Sequence, residues 1–223
     1  MKKQILVAVC AMGLAVSGVW ADSASFGGRL GYATWKDSKL EDVDSQSGLQ
    51  FGPTFLYRFG TGDAWAFGLD ARHGSMDRLE RSDLDATLHY SVSSMFSVFA
   101  EARYVRYKLD GEEETAYEED IKTNGPGIGG GISVVVPLGY SGFFLAANTR
   151  LATMQLDTDI PDASGNSFSW GYEGALAYSF TFDAVERGSL FMSLGYRHQE
   201  MRGGGLGERL QMPFAEFGFT QRF

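Results

Sequence analysis

The chain has 223 residues, with 19 Lys or Arg against 28 Asp or Glu, a formal charge of −9 and a mean hydropathy of −0.15. The length fits one domain, and an acidic chain of this kind makes nucleic acid an unsuitable partner. Its single cysteine, Cys10, lies close to the amino terminus, so the rest of the chain can hold neither disulfides nor zinc–thiolate sites nor cysteine nucleophiles.

The first 21 residues have the layout of a secretory signal peptide. Lys2 and Lys3 form a positive start, residues 5–19 are largely apolar, and Val19-Trp20-Ala21 puts a small residue at the cleavage position. Cleavage near Ala21 predicts a mature domain of residues 22–223. Losing Lys2 and Lys3 leaves 17 of the 19 basic residues against 28 acidic ones, a formal charge of −11. No later segment approaches the roughly 18 apolar residues that a membrane helix needs.

From there the chain alternates large apolar residues with small or polar ones in about ten segments, each near the length of a tilted strand that crosses a bilayer. In the first, Phe26, Leu30 and Tyr32 oppose Gly27, Arg29, Gly31 and Ala33. The second sets Phe51, Phe55, Tyr57 and Phe59 against Gln50, Thr54 and Arg58, and the third sets Trp65, Phe67 and Leu69 against Asp70 and Arg72. In the fourth, Leu84, Leu88 and Tyr90 oppose Asp83, Asp85, Thr87 and His89. The fifth sends Val98, Ala100 and Tyr104 one way and Glu101 and Arg103 the other. The sixth is glycine-rich, with Ile128, Ile132 and Val134 against Gly129, Gly131 and Ser133, and its glycines are expected to make room for bulky neighbours. In the seventh, Leu145, Ala147 and Leu151 oppose Asn148 and Arg150. The eighth opposes Trp170, Tyr172 and Leu176 to Glu173, and the ninth opposes Leu190, Met192 and Leu194 to Ser193, Gly195 and Arg197. The tenth carries Phe217, Phe219 and Phe223 on one face and Glu216, Gly218 and Arg222 on the other.

Strands with one apolar and one polar face, repeated without a second apolar layer to cover them, are expected to close into a barrel whose outside meets lipid. The expected fold is therefore an all-β, antiparallel, up-and-down transmembrane barrel of about ten strands. An eight-strand barrel is the alternative and requires merging two segments. The connections support ten: 37–47, 110–124, 157–167 and 202–211 are long, 60–64, 93–95, 138–141 and 183–188 are short, and 75–82 is intermediate. Aromatics near segment ends, among them Trp35, Trp65, Phe143 and Trp170, are expected at the membrane interfaces.

The signal peptide, the alternating strands and the terminal Thr220-Gln221-Arg222-Phe223 together resemble small bacterial outer-membrane β-barrel proteins over the whole mature chain. The resemblance implies an integral outer-membrane location in a Gram-negative cell, contact with lipid and lipopolysaccharide, and a last strand recognised by periplasmic chaperones and the barrel-assembly machinery. Phe217, Phe219 and Phe223 match that signal, whereas Gln221 departs from the usual apolar residue.

The inward faces carry Arg29, Arg58, Arg72, Arg103, Arg150, Arg197 and Arg222 against Asp70, Asp83, Asp85, Glu101, Glu173 and Glu216. Such a balance is expected to fill the lumen with paired charges, which gives a structural or surface-interaction protein. The alternative is a narrow, porin-like channel for solute or ions. Three groups are candidates for chemistry. His89 shares a face with Asp83 and Asp85, as a general base would require. His73 and Ser75 share one face, with His198 similarly placed on the ninth strand, and His73-Gly74-Ser75 slightly resembles the His-x-Ser pair of the lipid A deacylases. That family carries its pair at the carboxy terminus, which this chain does not. The omptin proteases are also ten-stranded, but no acidic pair with histidine stands in the long connections here. Gly127 to Gly131 lies inside a strand with no helix after it, so it is no phosphate loop, and no cofactor is expected. Glu112 to Glu114, Glu118 to Asp120, Glu41, Asp42 and Asp44 form an acidic crown with the ligand chemistry for divalent cations.

Overall fold

In the computed structural model, residues 21–40, 43–60, 64–111, 119–139, 142–159, 165–181, 188–203 and 206–222 are described. They form ten strands: β1 (Ala21–Asp37), β2 (Gln46–Phe59), β3 (Trp65–Met76), β4 (Leu79–Ser91), β5 (Phe96–Leu109), β6 (Ile121–Pro137), β7 (Phe143–Thr158), β8 (Gly165–Thr181), β9 (Gly188–Gly203) and β10 (Leu206–Arg222). Each strand pairs antiparallel with its sequence neighbours and β10 returns to β1, which closes an up-and-down barrel of ten strands rather than eight. The closing seam runs from Ser23 opposite Arg222 to Asp37 opposite Glu208, so both termini lie at one end. Closure leaves no unpaired edge, the condition a spanning sheet must meet in lipid.

The outer wall is apolar over most of its height, with Leu30, Phe51, Leu84, Ile128, Leu151 and Leu194 all exposed. Strands of 12 to 17 residues exceed the roughly 9–11 that a crossing needs. The excess forms a collar at the end away from the termini, where the outward residues turn charged: Lys36, Glu80, Arg106, Lys122 and Arg209.

This collar corrects the expected connections. Segment 202–211 is almost wholly strand, since β9 ends at Gly203 and β10 begins at Leu206, and between β3 and β4 only Asp77 and Arg78 remain. Asp77 takes a left-handed conformation, φ 44°, which aspartate tolerates in tight turns. Its carboxylate accepts the Ser47 amide at 2.9 Å, and the Arg78 amide donates to Gln46 at 2.9 Å. The collar is thus ladder and side-chain hydrogen bonds rather than open loop.

A second correction concerns the interior. The lumen at the collar end is an apolar core built from Trp35, Met76, Leu79, Val105, Tyr107, Leu109, Ile121, Met154, Leu156, Met201, Leu210, Met212 and Phe214, covered by Leu40 and Val43 of the β1–β2 connection. Trp35 therefore fills the lumen, fully buried, and does not sit at a membrane interface. Its odd number places it on the inward face with Arg29 and Ala33, which the alternation requires.

The β6 glycines do make room for neighbours. A Cβ on Gly131 would lie 2.6 Å from the Phe99 ring and 1.9 Å from the Thr149 carbonyl, and one on Gly127 would lie 2.2 Å from the Met154 sulfur. Gly131→Leu is expected to destabilise the barrel by ~1–3 kcal/mol or more through overpacking. Urea unfolding of the refolded protein checks this, and an unchanged midpoint would mean that the Phe99 ring has space to turn away.

Candidate functional site

Beneath the apolar core lies a layer of charge to which eight strands contribute. Asp85 on β4 is its hub. Arg72 reaches it at 2.6 Å, Arg197 at 2.9 Å, Arg103 at 3.2 Å and Arg150 at 3.3 Å. Glu101 joins Arg150 at 3.1 Å and Arg103 at 3.5 Å. Toward the terminal end, Arg29 holds Glu216 at 2.8 Å, Glu173 at 3.0 Å and Asp70 at 3.3 Å, while Asp70 also meets Arg72 at 3.1 Å. Arg72, Arg103, Arg197, Asp85 and Glu101 are all buried. Buried ions are costly unless each finds a counter-ion, and strand register supplies one here: Asp85 lies directly opposite Arg103, and Arg29 directly opposite Glu216.

Ten of the thirteen residues expected in the lumen network thus join one ion-paired group: Arg29, Asp70, Arg72, Asp85, Glu101, Arg103, Arg150, Glu173, Arg197 and Glu216. Asp83 sits higher, bound to Arg81 at 2.9 Å and to the Gln50 amide at 3.1 Å, and Arg81 also binds Glu208. Arg81 and Glu208 fall in segments that the sequence marks as connections, 75–82 and 202–211; the alternation continued through those segments points both inward. Arg58 lies at the terminal end of β2 opposite Ala66. The Arg222 backbone pairs with Ser23, and its side chain lies outside the described residues, as does Phe223. The Arg29 guanidinium stands 4.2 Å from the centre of the Phe214 ring and so joins the charged layer to the apolar core by a cation–π contact. Below the layer is a cavity of about 160 Å³ lined by Thr54, Asp70, His89, Phe99, Asn148 and Glu173, among others.

The candidate chemical groups fall differently from expectation. His89 faces inward but bonds Thr87 at 3.1 Å and packs on the Phe99 ring at 4.9 Å, with neither Asp83 nor Asp85 as its partner. His73 lies on the outer wall and pairs across the ladder with Ser82 at 3.0 Å rather than with Ser75, and Glu80 lies 3.8 Å from its other ring nitrogen. The imidazole is half exposed and stands between Phe51 of β2 and Ser82 of β4 in the ladder.

Glu41, Asp42 and residues 112–118 of the acidic crown lie outside the described residues. Of its other members, Asp120 bonds Lys108 at 2.8 Å. That hydrogen bond, with a second from the Gly111 amide, holds the Asp120 carboxyl below its ordinary range. Among the described residues no group of three His, Cys, Asp or Glu is placed to hold a metal ion.

No family model matches the chain, and no curated protein does. Among solved structures it is similar to the β domain of the Bordetella autotransporter BrkA, with a TM-score of 0.51 at 10% identity over 91% of this chain and 100% of that one. The translocator domain of the autotransporter NalP from Neisseria meningitidis gives 0.48 at 14% identity, covering 100% and 95%. The outer membrane protease OmpT from Escherichia coli gives 0.49 at 8% identity, covering 93% and 98%. The chain has the fold of bacterial outer-membrane β-barrels.

Proposed function

We propose that this chain is an integral outer-membrane protein whose barrel is sealed, with a structural or surface-interaction role rather than a transport one. A single observation supports it: an apolar core, with Trp35, Met76, Leu79, Met154, Met201 and Leu210 fully or almost fully buried, sits directly on a buried layer of paired charge. An ion crossing would have to displace both, and hydrophobic packing across a lumen is itself a barrier to water. The termini lie on the periplasmic side and the charged collar projects outside. Delivery is by a signal peptide cleaved near Ala21. Insertion uses the outward Phe217 and Phe219, with Phe223, as the assembly signal. The narrow-channel alternative has the 160 Å³ cavity in its favour, but that cavity lies below both barriers. For the lipid A-modifying alternative, the pairing of His73 with Ser82 leaves Ser75 without its base.

Planar-bilayer recordings of the full-length mature protein at high salt test the proposal. A flat baseline is expected, and discrete conductance steps that respond to Arg103→Ala would overturn it.

A further inference from the structure

The outer wall of the collar is not uniform. On β8, β9, β10 and β1 the register sets Trp170 opposite Glu200, Glu200 opposite Arg209, and Arg209 opposite Lys36. The row nearer the apolar wall is Tyr172, His198, Gln211 and Thr34, and below it on β9 come exposed Tyr196, Leu194 and Met192. Apolar, then aromatic and polar, then cationic is the order met on leaving hydrocarbon for the headgroup region.

The cationic row is built rather than merely exposed. Glu200 points outward yet is only 6% exposed, because Arg202 bonds it at 2.7 Å and Arg209 approaches it at 3.3 Å. Beneath it His198, 3.4 Å away, is held against the rings of Trp170 and Tyr172 at 5.3 and 5.1 Å. A guanidinium carries five N–H donors, more than one shared carboxylate can take from two of them. Lys39 is brought alongside by the start of the β1–β2 connection: the Ser38 amide donates to the Gly207 carbonyl at 3.0 Å, and the Gly207 and Lys39 amides both donate to Asp37 at 2.9 Å. A Cβ on Gly207 would lie 2.3 Å from the Ser38 hydroxyl, so a larger residue there would have to displace that side chain. The result is a groove of about 740 Å³ lined by Lys36, Ser38, Lys39, Arg202 and Arg209 with Glu200 in its wall. Glu208 also borders the groove, but its carboxylate binds Arg81 in the lumen. Among the described residues, four cations therefore face one outer-wall carboxylate. On the opposite side of the collar, Lys108 is instead paired with Asp110 at 2.6 Å and Asp120 at 2.8 Å.

We propose that this groove binds the phosphate of an outer-leaflet glycolipid headgroup, with the acyl chains descending along Leu194 and Met192. Arginine forks and lysine ammoniums at headgroup height are the groups that hold phosphate. The inference rests on the orientation given under the proposed function but not on the sealed lumen, so a conducting barrel would leave it standing.

The test titrates the folded full-length mature protein in detergent with bis-phosphorylated lipid A, reading binding by native mass spectrometry and folding by heat-dependent gel mobility. Lys36→Gln with Arg209→Gln is expected to weaken binding roughly tenfold or more, and Lys39→Gln with Arg202→Gln gives a second, independent loss should the first pair fail to fold. Lys108→Gln is expected to bind as the unchanged protein does. Dephosphorylated lipid A should bind the unchanged protein no better than phosphorylated lipid A binds the variants. Equal binding by the unchanged protein and a folded variant pair would overturn the proposal, as would equal binding of the dephosphorylated lipid. Equal affinity for phosphatidylglycerol, or full displacement by millimolar inorganic phosphate, would overturn the assignment to a glycolipid.

Discussion

Asp85→Ala is expected to destabilise the barrel by ~3–5 kcal/mol, the cost of breaking a buried ion pair by removing one partner. The reason is the imbalance left behind. Four guanidiniums converge on this carboxylate within 3.3 Å, and of these Arg72, Arg103 and Arg197 are at most 3% exposed. Glu101 compensates Arg103 and Arg150, and Asp70 stays close to Arg72, but Arg197 is left with Asp70 and Glu173 at 3.9 and 3.8 Å. Asp85→Asn keeps the shape and removes only the charge, so it separates electrostatics from packing and should cost nearly as much as alanine. Urea titration in detergent micelles, followed by tryptophan fluorescence, measures both variants. A loss below ~1 kcal/mol for each, the range of exposed pairs, would mean that water reaches the layer and screens it.

The second large effect is expected at Trp35. The indole is fully buried, tilted against Tyr107 at 5.6 Å between ring centres, inside the apolar core of the collar. Trp35→Ala should cost ~3–5 kcal/mol, the usual range for deleting a large aromatic from a close-packed site. Trp35→Phe retains a ring and should recover most of it. If Trp35 instead stood at a lipid interface, as a girdle residue does, alanine would lower stability far less and the phenylalanine variant would gain little over it. The same substitution probes the seal: bilayer conductance in the Trp35→Ala protein but not in the unchanged one would place the barrier at this ring.

Most of the barrel is legible in a period of two, because each strand meets lipid on one side and protein on the other. Arg29, Asp70, Asp85, Glu101 and Glu216 announce their direction by parity alone, and register then brings them together. The collar was not legible in the same way. Beyond the membrane the outward face need not be apolar, so the contrast that marks a strand fades: Ile121, Lys122, Arg209 and Leu210 scan as connection, although their apolar members share the inward parity. That inverted alternation, charged outside and apolar inside, is the pattern of a water-soluble sheet, and it sits on top of a membrane one. Arg81, Glu208 and the apolar core were missed for this single reason. The partners of the histidines have another cause: Ser75 shares a face with His73, but the ladder sets Ser82 closer on the adjacent strand, whereas His89 bonds Thr87 two positions away on its own strand and packs on Phe99 directly opposite.

The bond between Arg29 and Glu216 joins the first strand to the last across 187 positions of chain. Pairing of sequence-adjacent strands alone never forms it, because it exists only when β1 and β10 are adjacent. Glu173, on β8, and Asp70, on β3, share the same guanidinium from either side of that seam. The central arginine therefore works as a latch on the ring, tying the closing seam to strands on both sides of it.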